Sequence, residues 1–143
     1  MKTFDVVALG ELLVDFTENG LSAQGNPLLE ANPGGAPCNV LSMLQNLGKK
    51  TAFIGKVGND EFGKLLKNTI SEQKIDAAGL ILDPNAKTTL AFVDNDETGD
   101  RSFSFYRKPG ADMMLREDEV NYELIDNCRI FHFGSLSMTD EPV

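Results

Sequence analysis

The sequence predicts an α/β fold with a largely parallel sheet flanked by helices. Strand-like and helix-like segments alternate along the 143 residues, which is the order that βαβ units produce. The strand-like segments are continuously apolar, as expected of strands buried on both faces of a parallel sheet. One antiparallel hairpin breaks the alternation, and we expect it to project from the main sheet.

Three segments have the character of buried strands. Residues 4–9 are apolar apart from Asp5, and residues 51–57 and 130–133 are similar. His132, the one histidine of the chain, lies in the third segment. We therefore expect it to be a structural histidine with satisfied hydrogen bonds and not a catalytic one.

Two segments predict amphipathic helices. Each places apolar residues close to the spacing i, i+3, i+4, i+7, which gathers them on one helical face. These residues are Val40, Met43, Leu44 and Leu47 in the first segment, and Phe62, Leu65, Leu66 and Ile70 in the second. Asp60 precedes the second segment and is expected to cap its N-terminus.

The predicted hairpin consists of residues 88–93 and 101–106. The connecting residues 94–100, DNDETGD, are rich in turn-forming Asp, Asn and Gly. Apolar residues alternate with smaller or polar ones in both strands, so we expect one face to need cover and the other to meet water; they are Leu90, Phe92, Phe103 and Phe105. Two interpretations stay open: a lid over a site at the edge of the sheet, or a structural antiparallel extension.

Composition narrows the class of protein. With 41% hydrophobic and 24% charged residues, the chain resembles an ordinary globular domain. A net charge of -9 without a Lys or Arg cluster argues against a nucleic-acid partner and against an anionic membrane surface. Acidic residues, namely Asp5, Glu11 and Asp15, interrupt the apolar N-terminal stretch, so neither a signal peptide nor a spanning helix is predicted. We expect a cytoplasmic protein.

Cysteine and histidine are scarce. Cys38 and Cys128 lie far apart in sequence and lack the spacing of metal ligands, so they are expected to be free thiols. Because His132 is the only histidine, the sequence offers few ligands for a metal cluster.

The stretch NPGGAPCNV, residues 32–40, has the composition of a ligand-binding bend. Gly34 and Gly35 permit unusual backbone dihedrals and put no side chain between the backbone and a ligand, and Pro37 suits the first turn of a helix. Free N–H groups at that helix start favour polar oxygens. Asn39 carries a donor and an acceptor, which suits a hydroxyl-rich ligand better than a bare phosphate. The alternative is a plain strand-to-helix turn in which Asn39 caps the backbone.

A second polar residue, Asp15, ends the apolar run of GELLVDF. Ligands of open α/β sheets gather outside the carboxyl ends of strands, where we expect this residue to lie. A carboxylate there accepts charge-assisted hydrogen bonds from two hydroxyl groups. The alternative is a solvated aspartate in a turn.

These motifs together resemble those of a known family. Residues 34–63 resemble the first signature of the ribokinase-like (PfkB) sugar kinases, with Asn39, Gly48 and Gly58 at matching intervals. GELLVDF, FIGKVGNDEFG, TTLAFV, FYRKPGADMML and IFHFGSLSM resemble the fructokinases of that family, in order along the whole chain. Leu41 departs from the signature, which usually has a small residue there, and Cys38 stands where alanine is usual.

The resemblance implies a ribokinase-like α/β fold with a small β-sheet lid. It implies that residues 1–143 form the N-terminal part of a single kinase domain, with the C-terminal part missing and with lid segments at about residues 16–32 and 88–110. It also implies a set of six sugar-binding residues: Asp15, Gly34, Gly35, Asn39, Phe105 and Arg107. In this set Gly34 shapes the loop, and the other five contact the sugar. For the last two, the alternatives are a packed lid residue and a surface salt bridge, respectively.

The activity implied by the resemblance is transfer of the γ-phosphate of ATP to the 6-hydroxyl of fructose, with Mg²⁺. The family's Gly-Ala-Gly-Asp motif does not occur in these residues. We therefore expect ATP and Mg²⁺ to be bound mainly by a further part of the protein, and we expect this chain alone to be inactive. A homodimer through the lid is a further expectation. Three alternatives stay open: a 2-keto-3-deoxygluconate kinase, another ribokinase-like sugar kinase, and a non-catalytic sugar-binding or dimerising module.

Overall fold

The computed structural model describes residues 2–95 and 100–143, which form two four-stranded sheets and three α-helices. In chain order the elements are β1 (Phe4–Leu9), β2 (Leu13–Leu21), β3 (Pro27–Gly34), α1 (Ala36–Asn46), β4 (Thr51–Gly58), α2 (Glu61–Glu72), β5 (Asp76–Asp83), β6 (Leu90–Asn95), β7 (Arg101–Tyr106), α3 (Tyr122–Asp126) and β8 (Cys128–Phe133). Short 3-10 turns follow β7 and β8.

The main sheet is entirely parallel, in the spatial order β5-β4-β1-β8. β4 is buried along its whole length, as its apolar sequence predicts. β8 is an edge strand of this sheet with β1 as its neighbour, and Ile130 and Phe133 are 60% and 55% exposed. The expectation of burial on both faces is therefore wrong for β8, and His132 is only partly buried.

The second sheet, called the small sheet below, has the order β3-β2-β6-β7. Its central pair, β2 and β6, is parallel, and each outer pair is antiparallel. The predicted hairpin is confirmed as β6 and β7, with Leu90 opposite Tyr106. Residues 96–99 of its connection lie outside the described residues. The predicted α/β architecture, a parallel sheet flanked by helices with a small second sheet, is thus confirmed.

The apolar residues of the hairpin are divided between its two faces. Phe92 lies opposite Ser104, whereas Phe103 lies opposite Val93, so Phe92 and Phe103 point to opposite sides of the sheet. Phe92 stacks on Phe16 with ring centroids 5.2 Å apart. The expected single apolar face is therefore wrong, because the register places the aromatic residues of the two strands out of phase.

Helix α1 forms where predicted, but its buried face is shifted, and of the predicted apolar stripe only Leu44 packs against the core. Cys38 and Leu41 are inside the core, while Val40, Met43 and Leu47 are 42%, 59% and 66% exposed. The predicted stripe and the buried stripe are neighbouring faces of the same helix. The turn that leads from β3 into α1 decides which of them meets the sheet.

Helix α2 forms where predicted and joins the two sheets, although Leu65 of the predicted apolar stripe is 38% exposed. Leu66 and Ile70 are buried in the core, and the Asp60 side chain accepts a hydrogen bond of 2.9 Å from the backbone N–H of Gly63. Phe62 packs edge-on against Phe16 of the small sheet at 5.5 Å. One continuous apolar cluster therefore lies between α2, the main sheet and one face of the small sheet, and Phe103 and Phe105 on the other face are exposed.

Candidate functional site

The diglycine bend links β3 to α1 and is closely surrounded. Gly35 precedes the first residue of α1 with φ 122°, a value that L-residues rarely adopt. A Cβ on Gly35 would lie 2.4 Å from the backbone oxygen of Glu11, and a Cβ on Gly34 would lie 2.4 Å from Oδ2 of Asp15. Gly35 is therefore required by its dihedral angle and by the backbone of Glu11, whereas a side chain at Gly34 would displace the Asp15 carboxylate, against which the bend lies.

Glu11 anchors this bend, a role that sequence reasoning missed. Its side chain is 4% exposed, and its Oε1 accepts a 3.0 Å hydrogen bond from the N–H of Ala36 in the first turn of α1. Its Oε2 is buried without a hydrogen-bond partner among the described residues. A carboxylate at this position also offsets the positive end of the helix dipole. The sequence signal for this role was that Glu11 is an acidic residue inside an apolar run, because a buried carboxylate needs a hydrogen-bond partner.

Asp15 is the third residue of β2, in the small sheet, and does not lie at the end of the first strand as expected. Its side chain is half-buried, and this burial raises the pKa of the carboxyl above its usual value. In the part of the chain that the structure describes, no cation pairs with it and no donor bonds to it. The carboxylate oxygens are therefore available to hydroxyl donors.

Phe105 lies on the same face of the small sheet as Asp15. Ala91 is in register with Asp15 on one side and with Phe105 on the other, so the three residues form one row across the sheet. At a strand spacing of about 4.8 Å, the backbones of Asp15 and Phe105 are about 10 Å apart. The Phe105 side chain is 48% exposed and stacks on Phe103 at 6.0 Å. The structure thus brings a carboxylate and an exposed aromatic ring to one surface.

Asn39 is one helical turn beyond the bend, and its side chain is exposed. Its backbone N–H donates to the oxygen of Gly35 at 3.0 Å. Gly34 and Asn39 both line a cavity of about 20 Å³ that faces Ile70 of α2 and Gln73, which follows the helix. This cavity has room for a water molecule but not for a sugar. A sugar contact of Asn39 would lie outside it and stays a prediction.

Arg107 forms a buried ion pair and not the surface salt bridge that was its alternative. Its Nε donates to Oδ2 of Asp112 at 2.8 Å, and the two side chains are 10% and 1% exposed. Nη2 donates to the backbone oxygen of Leu136 at 3.5 Å. The other oxygen of Asp112 accepts from the Thr89 hydroxyl. These contacts fix the Arg107 side chain just after the end of β7. Its contact with a sugar stays a prediction.

Lys56, near the carboxyl end of β4, is buried, and its role was not predicted from the sequence. Nζ of Lys56 donates to both carboxylate oxygens of Glu119 at 2.6 and 2.7 Å and to the backbone oxygen of Met114 at 2.9 Å, with Asp83 at 3.4 Å. Burial works against ionisation of Asp83 and Glu119, yet hydrogen bonds, including those from Lys56, lower the pKa of both carboxyls. This cluster ties β4 and β5 to the segment that precedes α3.

The remaining candidate groups are structural. Cys38 and Cys128 are free and buried, and burial raises the pKa of the Cys38 thiol to about 11, which makes it a poor nucleophile. Across residues 2–95 and 100–143, no group of three or more His, Cys, Asp or Glu side chains could hold a metal ion. The helices of that same part of the chain are all too short or too polar to cross a membrane.

Comparison with known proteins agrees with the motif resemblance. Residues 3–142 match the family described as pfkB family carbohydrate kinase. The chain is 48% identical over 139 residues to a probable chloroplastic fructokinase-6 of Arabidopsis thaliana, and 45% identical over 139 residues to fructokinase-1 of Zea mays. The crystal structure of a fructokinase from Xylella fastidiosa superposes with a TM-score of 0.88 at 37% sequence identity.

These relatives are longer than the chain. Each comparison covers 96% of the chain, but only 36% of the Arabidopsis protein, 43% of the maize protein and 42% of the Xylella structure. The chain therefore spans about two fifths of the length of these relatives. The match to their backbone confirms the expected ribokinase-like architecture. From its sequence and its fold alike, the chain belongs to the pfkB family of carbohydrate kinases.

Proposed function

We propose that the whole protein is a cytoplasmic fructokinase that transfers the γ-phosphate of ATP to the 6-hydroxyl of fructose. The chain described here supplies the sugar-binding part. Relatives that carry the name fructokinase, at 48% and 45% identity, support this substrate. In this proposal the sugar contacts are made by the set expected from the sequence: Asp15, Gly34, Gly35, Asn39, Phe105 and Arg107.

The observation that carries the proposal is the environment of Asp15. Its carboxylate is half-buried, has no partner among the described residues, and lies against a glycine that leaves no room for a side chain. Hydrogen bonds from sugar hydroxyls to this carboxylate are charge-assisted and therefore strong. Phe105, on the same face, offers a ring on which the apolar C–H groups of a sugar pack.

The charges around the bend favour a neutral sugar over an acidic one. Two carboxylates, Glu11 and Asp15, flank the diglycine bend. The one cation in the proposed sugar-binding set, Arg107, is already paired with Asp112. An acidic substrate such as 2-keto-3-deoxygluconate would meet these carboxylates without an unpaired cation from the set. Fructose, which is uncharged, is the better match.

We propose Mg²⁺-ATP as the phosphoryl donor, bound mainly by a part of the whole protein that this chain does not span. Structures similar to this chain include a fructokinase from Xylella fastidiosa with bound ATP. Mg²⁺ would neutralise charge on the transferred phosphoryl group. The residues of this chain would bind and orient the sugar, so that its reacting hydroxyl stays in place.

The test is a steady-state assay on the whole protein with ATP, Mg²⁺ and fructose, in which ADP formation is followed. Because Asp15 is proposed to accept two charge-assisted hydrogen bonds, Asp15→Ala is expected to lower kcat/KM roughly 100-fold or more. Asn39→Ala removes neutral hydrogen bonds and is expected to cost about tenfold. Asp126→Ala is the matched control, because Asp126 is exposed and remote from the bend.

The outcomes separate the alternatives. Turnover of fructose that is undiminished in both Asp15→Ala and Asn39→Ala would remove the site assignment. Turnover of 2-keto-3-deoxygluconate without turnover of fructose would select the acidic-sugar alternative. A whole protein that binds fructose but forms no ADP would be a non-catalytic sugar-binding module.

We also propose that two copies of the protein associate through the small sheet. β3 and β7 are the outer strands of this sheet, and Leu28, Leu29 and Tyr106 are 47%, 50% and 68% exposed. Apolar side chains on outer strands suit pairing with a second sheet. Sedimentation equilibrium is expected to give a dimer that the double substitution Leu28→Asp with Leu29→Asp dissociates. A monomeric wild type would refute the association.

A further inference from the structure

Asn32 occupies the next position in the row that contains Asp15. On β3 it lies directly opposite Asp15 of β2, and the row continues through Ala91 to Phe105. Residues that are directly opposite in neighbouring strands point to the same face, with Cβ atoms about 5 Å apart. Asn32, Asp15 and Phe105 therefore lie on one face of the small sheet.

Two hydrogen bonds fix the orientation of the Asn32 side chain. Its Nδ2 donates to Oγ1 of Thr17 at 3.0 Å and to the backbone oxygen of Glu30 at 3.2 Å. Both protons of the amide nitrogen are thus used. In the described ranges the carbonyl oxygen Oδ1 accepts no hydrogen bond, and the residue is only partly buried. The side chain consequently presents a fixed, accessible acceptor.

We infer that Asn32 is a further sugar-binding residue, whose Oδ1 accepts a hydrogen bond from a hydroxyl next to the one bound by Asp15. The inference rests on the proposed sugar-binding role of Asp15. A sugar ring on this face can present one hydroxyl to Asp15 and the next to Asn32, because the two side chains leave the sheet at Cβ atoms about 5 Å apart. Asn32 would then help to select sugars that carry both hydroxyls.

The test measures KM and kcat of the whole protein for fructose and for fructose analogues that each lack one hydroxyl. Asn32→Ala is expected to raise the KM for fructose about fivefold, the effect of one neutral hydrogen bond, and to leave kcat within about twofold. The rise in KM is expected to disappear for the single analogue that lacks the hydroxyl bound by Asn32. Asn32→Thr removes the same carbonyl oxygen and keeps a residue that favours strands, in case the alanine variant does not fold.

Asn46→Ala, at the far end of α1, is the matched control for loss of a carboxamide. A KM for fructose in both Asn32 variants that equals the control value would overturn the role of Asn32 and leave the fructokinase proposal intact. An equal rise of KM for every analogue would also overturn it, because a distorted sheet affects all sugars alike. A wild-type protein that phosphorylates none of the sugars would refute the proposed function, and the inference with it.

Discussion

Gly35→Ala is expected to destabilise the chain severely. Gly35 has φ 122°, a value that residues with a side chain rarely adopt. An alanine in this conformation costs about 1–3 kcal/mol of folding free energy. The new Cβ would also lie 2.4 Å from the backbone oxygen of Glu11. Because a backbone atom cannot rotate away, α1 and the segment that joins β1 to β2 must separate.

This separation has a cost of its own. It strains the hydrogen bond from the N–H of Ala36 to Oε1 of Glu11, and a hydrogen bond to a charged group contributes about 1.5–3 kcal/mol. Together with the backbone term, we expect a loss of roughly 3–5 kcal/mol in the free energy of unfolding. Urea unfolding of the chain, followed by far-ultraviolet circular dichroism and linear extrapolation, measures this loss.

Gly48→Ala is the matched control. Gly48 also has a positive φ, 75°, but no atom lies within 4 Å of the Cβ that would be added. This variant therefore isolates the backbone term and is expected to lose about 1–2 kcal/mol. Equal losses in the two variants would refute the reasoning, because the contact with Glu11 would then have no energetic consequence.

The remaining predictions concern the Asp15 carboxylate and the buried lysine. The Cβ of Gly34→Ala would push aside the Asp15 side chain, which can rotate, so the free energy of unfolding is expected to change by about 1 kcal/mol or less. Because the carboxylate is then displaced, the KM of the whole protein for fructose is expected to rise roughly tenfold. An unchanged KM would contradict this. Lys56→Met leaves two carboxylates without their buried partner, and we expect a loss of about 2–4 kcal/mol by urea unfolding; a loss below about 0.5 kcal/mol would show that the pairing is dispensable. Because the folded-state pKa values of Asp83 and Glu119 are lowered, their contribution to stability is complete above the unfolded-state values near 4 and decreases as the pH falls below them. Urea midpoints measured between pH 6 and pH 3 are expected to fall steeply in the wild type and less so in Lys56→Met, and equal slopes would contradict the assignment.

Local sequence predicted part of the element order. Apolar runs predicted β1, β4 and β8, helical spacing predicted α1 and α2, and turn-forming residues predicted the hairpin, whereas β2, β3, β5 and α3 were not predicted from local patterns. The diglycine bend was predictable because two consecutive glycines followed by a proline are typical of a bend that leads into the first turn of a helix. Asp60 was predictable as a helix cap for the same reason, since capping depends on residues close together in sequence.

What the tertiary structure decided is which distant groups meet. The buried face of α1 depends on the turn from β3, and the exposure of β8 depends on its place at the edge of the main sheet. The row that joins Asn32, Asp15 and Phe105 depends on the register between strands far apart in the chain. A shift of one residue in that register would move Asp15 to the opposite face while every local pattern stayed the same. The sequence by itself therefore determined the family motifs and the elements with a clear local pattern, and only the packing of strands placed Asn32, Asp15 and Phe105 on one surface.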